Sequence, residues 1–162
     1  DEIIEKLEKL RAKKIADKFQ KRYVYDLVAK QEEKWVRLRT DGNKTTLTIK
    51  EVVDHSITGT KEMEVEVSDF ELTHQMLLEF GLKQIAYQEN KRISYSLDGV
   101  DVEMDTWPQI PTYIEVEGPD ESSVINTLEK LGFSQSESVS KPIKDIYADY
   151  DIDLHGIDEL KF

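Results

Sequence analysis

Six stretches of the chain alternate apolar and polar residues with a period of two: 35–40, 45–52, 62–67, 92–97, 100–105 and 113–117. Period two marks a strand with two unlike faces, because successive side chains point to opposite sides of a pleated backbone. Residues 19–26 make a seventh candidate. Asp41-Gly42-Asn43 and Asp98-Gly99 separate neighbouring candidates by residues that suit tight antiparallel hairpins. The pattern therefore demands an α+β fold with a mostly antiparallel sheet.

Three segments change the period. Residues 1–14 carry Ile3, Ile4, Leu7 and Leu10 on one helical stripe. A second helix is predicted from Ser68 or Asp69 as N-cap to Gly81 as its stop, holding Phe70, Leu72, Met76, Leu77 and Phe80. A third is predicted over 119–131, stopped by Gly132. A weak repeat links them: Lys14-Ile15-Ala16 through Lys21-Arg22-Tyr23-Val24-Tyr25-Asp26-Leu27 recurs as Gln84-Ile85-Ala86 through Lys91-Arg92-Ile93-Ser94-Tyr95-Ser96-Leu97. A Glu-x-Glu strand precedes the second helix (Glu64, Glu66) and the third (Glu115, Glu117), while the first begins at Asp1 without one. The repeat leads to the expectation that a Glu-x-Glu strand belongs before residue 1.

A chain of 162 residues with no Pro/Gly/Ser-rich linker is expected to form a single domain over 1–162. The formal charge of −12 disfavours general nucleic-acid binding, which needs a basic surface. With no cysteine, any metal must be held by oxygen or histidine. No apolar run approaches the length of a membrane span, so no membrane partner is expected, and the cytoplasm is the expected location. Pairing with a second copy, as a homodimer, is left open.

What each strand face carries is the chemical clue. Arg37 and Arg39 share a face, opposite Val36 and Leu38, and Lys50 shares one with Thr48. Glu62, Glu64 and Glu66 oppose Met63, Val65 and Val67. Glu103 with Asp105, and Glu115 with Glu117, repeat the arrangement. A two-layer domain with one solvated sheet face would alternate in the same way. Two details favour a sheet curled around a polar lumen: like charges are grouped on single strands, where they repel unless an opposite charge lies between, and the charged faces collect both signs. Metal ions would relieve the carboxylate groups and phosphates the arginine pair. A metal-chelated polyphosphate suits such a lumen.

Trp35-Val36-Arg37-Leu38-Arg39, then Leu47-Thr48-Ile49-Lys50, then Glu64-x-Glu66, then Lys91-Arg92 ahead of Tyr95, then Met104-Asp105 leading to Tyr113-Ile114-Glu115-Val116-Glu117-Gly118 together resemble the CYTH superfamily, named for class IV adenylate cyclases and thiamine triphosphatases. The resemblance covers nearly the whole chain and extends to a tail over 147–162 similar to that of bacterial cyclase-like members. It implies an eight-stranded antiparallel β-barrel, the triphosphate tunnel, with flanking helices. The family's N-terminal Glu-x-Glu-x-Lys strand is absent from this sequence, so the first strand of that barrel is expected to be missing, with the metal ligands and lysine it would bring. Carried over, Arg37, Arg39, Lys50, Lys91 and Arg92 would be substrate-phosphate ligands. Asp105, Glu115 and Glu117 would be metal ligands for Mg2+ or Mn2+, and Glu64 and Glu66 would complete the acidic wall. No general acid, base or nucleophile is implied by residue number. Arg11 and Asp151 depart from the family, which often has Gly at both positions, and both lie away from the proposed tunnel.

The implied activity is metal-dependent hydrolysis of tripolyphosphate or an organic triphosphate, the partner being a nucleoside or inorganic triphosphate. An adenylate cyclase making cyclic AMP and pyrophosphate from ATP would use the same residues. A non-catalytic polyphosphate or nucleotide binder is the alternative of another class. Other features carry less. His55, His74 and His155 are too scattered for a ligand set, Trp35 and Trp107 read as core or rim, and the serines of 122–140 lack a Gly-x-Ser-x-Gly elbow.

Overall fold

The computed structural model describes residues 2–29, 31, 33–53 and 60–162; His55 lies outside them. The elements are α1 (Glu2–Lys9), β1 (Lys13–Asp26), β2 (Lys34–Thr40), β3 (Thr45–Val52), β4 (Thr60–Val67), α2 (Phe70–Glu79), β5 (Lys83–Leu97), β6 (Val100–Thr106), β7 (Tyr113–Glu117), α3 (Glu121–Leu131), α4 (Ile143–Ala148) and β8 (Glu159–Leu160). The fold is α+β around an eight-stranded sheet, ordered β4-β3-β2-β1-β5-β6-β7, with β8 beside β5. Pairings β1/β2, β2/β3, β3/β4, β5/β6 and β6/β7 are antiparallel, as the alternation and the hairpin turns require. The eighth strand is the two-residue β8, parallel to β5.

The chain divides into two compact units, residues 1–18 with 91–142, and residues 19–90 with 143–162. In the first, Leu7 of α1, Tyr95, Val102, Met104 and Leu131 of α3 form the core, with Ile3, Ile4, Ile93, Ile114 and Val116 packed against it. Leu7 is fully buried and so contributes about 1.5–3 kcal/mol of transfer free energy. The Lys6 ammonium donates to the carbonyl of Leu131 at 3.0 Å and satisfies one orphan acceptor at the end of α3. Asp120 caps the start of that helix by accepting from the Ser123 amide at 2.8 Å, and Gly132 ends it at φ +87°, in the left-handed region glycine supplies.

In the second unit Tyr25, Val36, Leu38 and Leu77 of α2 are the core, bordered by Tyr23, Leu47, Ile49, Val67 and Phe70. These are the apolar faces of β1 to β3 with the inner side of α2. The Asp69 carboxylate accepts from the Leu72 amide at 2.8 Å and fixes the start of α2, as its sequence predicts.

Two boundaries differ from the sequence reading. The first helix stops at Lys9 rather than near 14, because Arg11 takes φ +58° and the amides of Arg11 and Ala12 turn back to the carbonyls of Glu8 and Leu7. Leu10, counted in the apolar stripe, is consequently exposed. Strands β1 and β5 begin six and nine residues earlier than the alternation suggested, and apart from Lys13 and Lys83 both extensions lie inside the internal repeat.

Candidate functional site

Register fixes which charged side chains stand together, because residues directly opposite on antiparallel strands share a face. In the second unit three successive rungs run across the sheet. Arg22 faces Arg39, then Thr46 and Glu66. Val24 faces Arg37, then Thr48 and Glu64. Trp35 faces Lys50 and then Glu62. Arg37, Arg39 and Lys50 thus lie on one face with Glu62, Glu64 and Glu66, as the alternation predicts.

The contacts on this face are mixed ion pairs. Arg37 Nη2 lies 3.7 Å from Glu64 and 3.9 Å from Glu62, and Lys50 Nζ lies 2.6 Å from Glu62. Only 11% of the Arg37 side chain is exposed. Burial and the neighbouring Arg37 charge hold the Lys50 pKa below its usual value, against the opposing pull of Glu62. The fully buried Thr48 hydroxyl donates to Glu64 at 2.8 Å, and this bond with the charges of Arg39 and Arg37 holds the Glu64 carboxyl below its usual range. Glu66 meets Lys44 at 3.3 Å. Glu64 and Glu66, predicted as an acidic wall, are here counter-ions to cations of their own sheet.

The first unit holds the second group. Arg92 faces Asp105 and then Tyr113; Ser94 faces Glu103 and then Glu115; Ser96 faces Asp101 and then Glu117. The Arg92 guanidinium is shared by three carboxylates. Its Nε donates to Asp105 and its Nη2 to Glu115, each at 2.8 Å, while Nη1 pairs with Glu103. Asp105 has no exposed surface at all, and the Arg92 guanidinium offsets part of the cost of burying its carboxylate. Burial opposes the Arg92 charge, but the bonds and charges of Asp105, Glu103 and Glu115 override it and keep its pKa above the usual value. Partial desolvation raises the Glu115 pKa, against Arg92, and the charges of Asp105, Glu103 and Glu117 push the same way as desolvation. Glu117 sits one rung beyond the arginine, opposite Asp101.

Lys91 does not join Arg92. Alternation along β5 turns it to the other face, and the residue facing the same way as Arg92 two positions earlier is Asn90, which is fully buried.

Among the described residues no group of three or more His, Cys, Asp or Glu side chains is arranged as a ready metal cage. The donor chemistry nevertheless fits a hard divalent cation. Glu103 and Glu115 are direct cross-strand partners with Asp105 two residues along, and all offer carboxylate oxygens. Arg92 is the cation that balances them in this structure.

Three residues were not singled out from the sequence as site members. Glu103 was visible as a charged strand position, but its sharing of Arg92 depends on the β5/β6 register. Thr48 is recognisable only once Glu64 is placed opposite it. Arg22 required knowing that it faces Arg39.

The CYTH domain model matches residues 1–146, and the chain belongs to the CYTH domain family. Comparison with curated proteins returns no match. Among solved structures, the PH1012 protein of Pyrococcus horikoshii OT3 is similar with a TM-score of 0.74 and 23% identity, over 87% of this chain and 89% of that one. A candidate adenylate cyclase of Vibrio parahaemolyticus also scores 0.74, at 12% identity over 91% of each chain. A candidate adenylyl cyclase of Hippeastrum, described as having a dominant triphosphatase activity, scores 0.58 at 15% identity over 93% of this chain and 90% of that one. These likenesses establish the fold. No helix among the described residues is long and apolar enough to cross a membrane.

Proposed function

We propose that this CYTH protein is a divalent-metal-dependent enzyme that hydrolyses tripolyphosphate or an organic triphosphate with water as nucleophile. The observation that carries the reading is the sorting of charge by rung, with Arg37, Arg39 and Lys50 on adjacent strands of one unit and three carboxylates gathered on Arg92 in the other. Arg37 and Arg39 are proposed to grip non-bridging phosphate oxygens with their planar forks, and Lys50 to add a point charge. Asp105, Glu115 and Glu117, with Glu103, are the proposed holders of Mg2+ or Mn2+. The ion, when bound, supplies charge neutralisation on the phosphates and a more acidic water.

The side chains contribute the rest. Arg92 is proposed to trade one carboxylate for a phosphate oxygen, which frees that carboxylate as a ligand. Glu64 and Glu66 are proposed to keep Arg37 and Lys44 extended until the anion arrives. Lys91 is given no role on this face. Such sites act mainly by positioning and by stabilising charge, so no dedicated side-chain nucleophile is required.

The fold shared with two candidate cyclases keeps a second reading in view, in which a ribose hydroxyl attacks the α-phosphate of ATP and pyrophosphate leaves. Phosphorus NMR of ATP and of tripolyphosphate, incubated with the protein and Mg2+ or Mn2+, separates the readings. Orthophosphate supports hydrolysis, whereas pyrophosphate with a cyclic nucleotide replaces it by cyclisation. Tight binding without any product would overturn catalysis in favour of a binding module.

A further inference from the structure

We propose that Glu62 is a built-in competitor of the triphosphate: its carboxylate occupies a phosphate position on Lys50 and Arg37 and sets how tightly the anion binds. This role rests on the triphosphate reading above and adds to it a residue that has no part there.

Glu62 stands directly opposite Lys50 across β3 and β4, so the two side chains leave the sheet on the same face. Its two oxygens reach different cations: Oε1 lies 2.6 Å from Lys50 Nζ, and Oε2 lies 3.9 Å from Arg37 Nη2. One carboxylate thus bridges the two side chains that are proposed to take phosphate oxygens. A phosphate group also presents paired, negatively charged oxygens and suits the same place. Burial and the charges of Arg37 and Arg39 disfavour the Lys50 ammonium, while Glu62 supports it, so an anion at this spot is favoured with or without a ligand.

Exposure decides which member of the bridge yields. The side chains of Arg37 and Lys50 are 11% and 20% exposed, whereas that of Glu62 is 41% exposed. The cations are walled in by the sheet, and the carboxylate can turn to water at the small cost of a part-exposed ion pair. Glu64 also lies near Arg37, at 3.7 Å, but it accepts a 2.8 Å bond from the fully buried Thr48 hydroxyl. Glu64 is therefore the anchored counter-ion and Glu62 the exchangeable one. An incoming triphosphate must break the Glu62 contacts and then bind with that negative charge still close by, and both effects weaken its binding.

The test measures affinity for tripolyphosphate by calorimetry in EDTA, so that metal ligation does not enter, on wild type, Glu62→Gln, Glu62→Asp and Arg37→Ala. Glu62→Gln keeps the shape of the side chain and removes its charge. Glu62→Asp keeps the charge and draws it back by one methylene. If the proposal holds, Glu62→Gln binds about threefold to tenfold more tightly than wild type, the range of one part-exposed ion pair that no longer has to be broken, and Glu62→Asp falls between the two. A purely structural tie to Lys50 predicts the opposite sign. If wild type binds and Arg37→Ala loses affinity, but folded Glu62→Gln binds no more tightly than wild type, the proposal is overturned; should that variant fail to fold, Glu62→Asp decides by the same sign. If wild type does not bind, or Arg37→Ala binds as tightly as wild type, the triphosphate reading falls and takes the role of Glu62 with it.

Discussion

Replacing Arg92 by Gln removes the cation that Asp105, Glu103 and Glu115 share. The consequences differ by carboxylate. Glu115 has 51% of its side chain exposed and can turn to water, and Glu103, at 22%, can do so in part. Asp105 cannot, because it is 0% exposed and fixed on β6 opposite position 92. Breaking a buried pair from one side costs about 3–5 kcal/mol, since the surviving charge keeps its desolvation penalty. Arg92 is itself 21% exposed, which places the loss near the lower end, about 3 kcal/mol. For a chain of this length that corresponds to a fall in melting temperature of about 6–12 °C. Thermal and urea unfolding of Arg92→Gln, Asp105→Asn and the double variant measure the loss and its coupling. The double variant should recover most of what Arg92→Gln loses, because both sides of the pair are then neutral. A single variant within about 1 kcal/mol of wild type, or additive losses in the double variant, would refute the idea that Asp105 depends on Arg92.

Thr48→Val should raise the Glu64 pKa in carbon NMR titration and cost about 1 kcal/mol, because the buried hydroxyl is the leading cause of that carboxyl's lowered pKa. The stability it removes is present above the unfolded-state carboxylate pKa and fades as pH falls through the lowered native value, so the difference from wild type should vanish in acid. Glu115→Gln should act in the opposite sense: desolvation raises the native Glu115 pKa, which costs stability as pH rises above the usual carboxylate range. The variant should therefore gain slightly on wild type at neutral pH and match it in acid, by an amount kept small by the exposure of this side chain. Lys91→Ala should leave tripolyphosphate affinity within about twofold of wild type, whereas Arg37→Ala should weaken it about tenfold or more, since only Arg37 shares the cationic face.

Much of this arrangement was legible in the sequence because a period of two ties chemistry to geometry. Arg37, Arg39, Lys50, Glu64, Glu66, Asp105, Glu115 and Glu117 needed only their own strand's alternation to be placed on a charged face, and the register agrees for each. Caps were equally local: Asp69, Asp120 and Gly132 act where their residue types predict. The failures came from elsewhere. Lys91 is expected as a phosphate ligand beside Arg92, and in β5 the strand period turns these two neighbours to opposite faces. The start of β1 hides its strand character in Lys13-Lys14-Ile15-Ala16-Asp17-Lys18, a polar stretch that pairs within the sheet without burying much apolar surface. Strand β8 is two residues long and has no period to detect. Of the apolar residues expected within the second helix, Leu72 and Met76, with Phe80 at its C-cap, stay exposed while Phe70 and Leu77 face the core, a choice made by tertiary packing. Pairing partners such as Glu103 on Arg92 and Arg22 beside Arg39 belong to register, which one strand's pattern does not encode.

Metal-dependent triphosphate hydrolysis is the activity proposed for this CYTH protein, with the Arg37/Arg39 cations and the Asp105, Glu115 and Glu117 carboxylates as its proposed ligands. Orthophosphate release from tripolyphosphate, measured with Mg2+ or Mn2+ and again in EDTA, tests it most directly. Wild type is compared with Arg37→Ala/Arg39→Ala and with Glu115→Ala/Glu117→Ala, each variant first shown to be folded. The account predicts release that requires metal and is lost in both double variants. Release that persists in EDTA, or in either folded double variant, would contradict it.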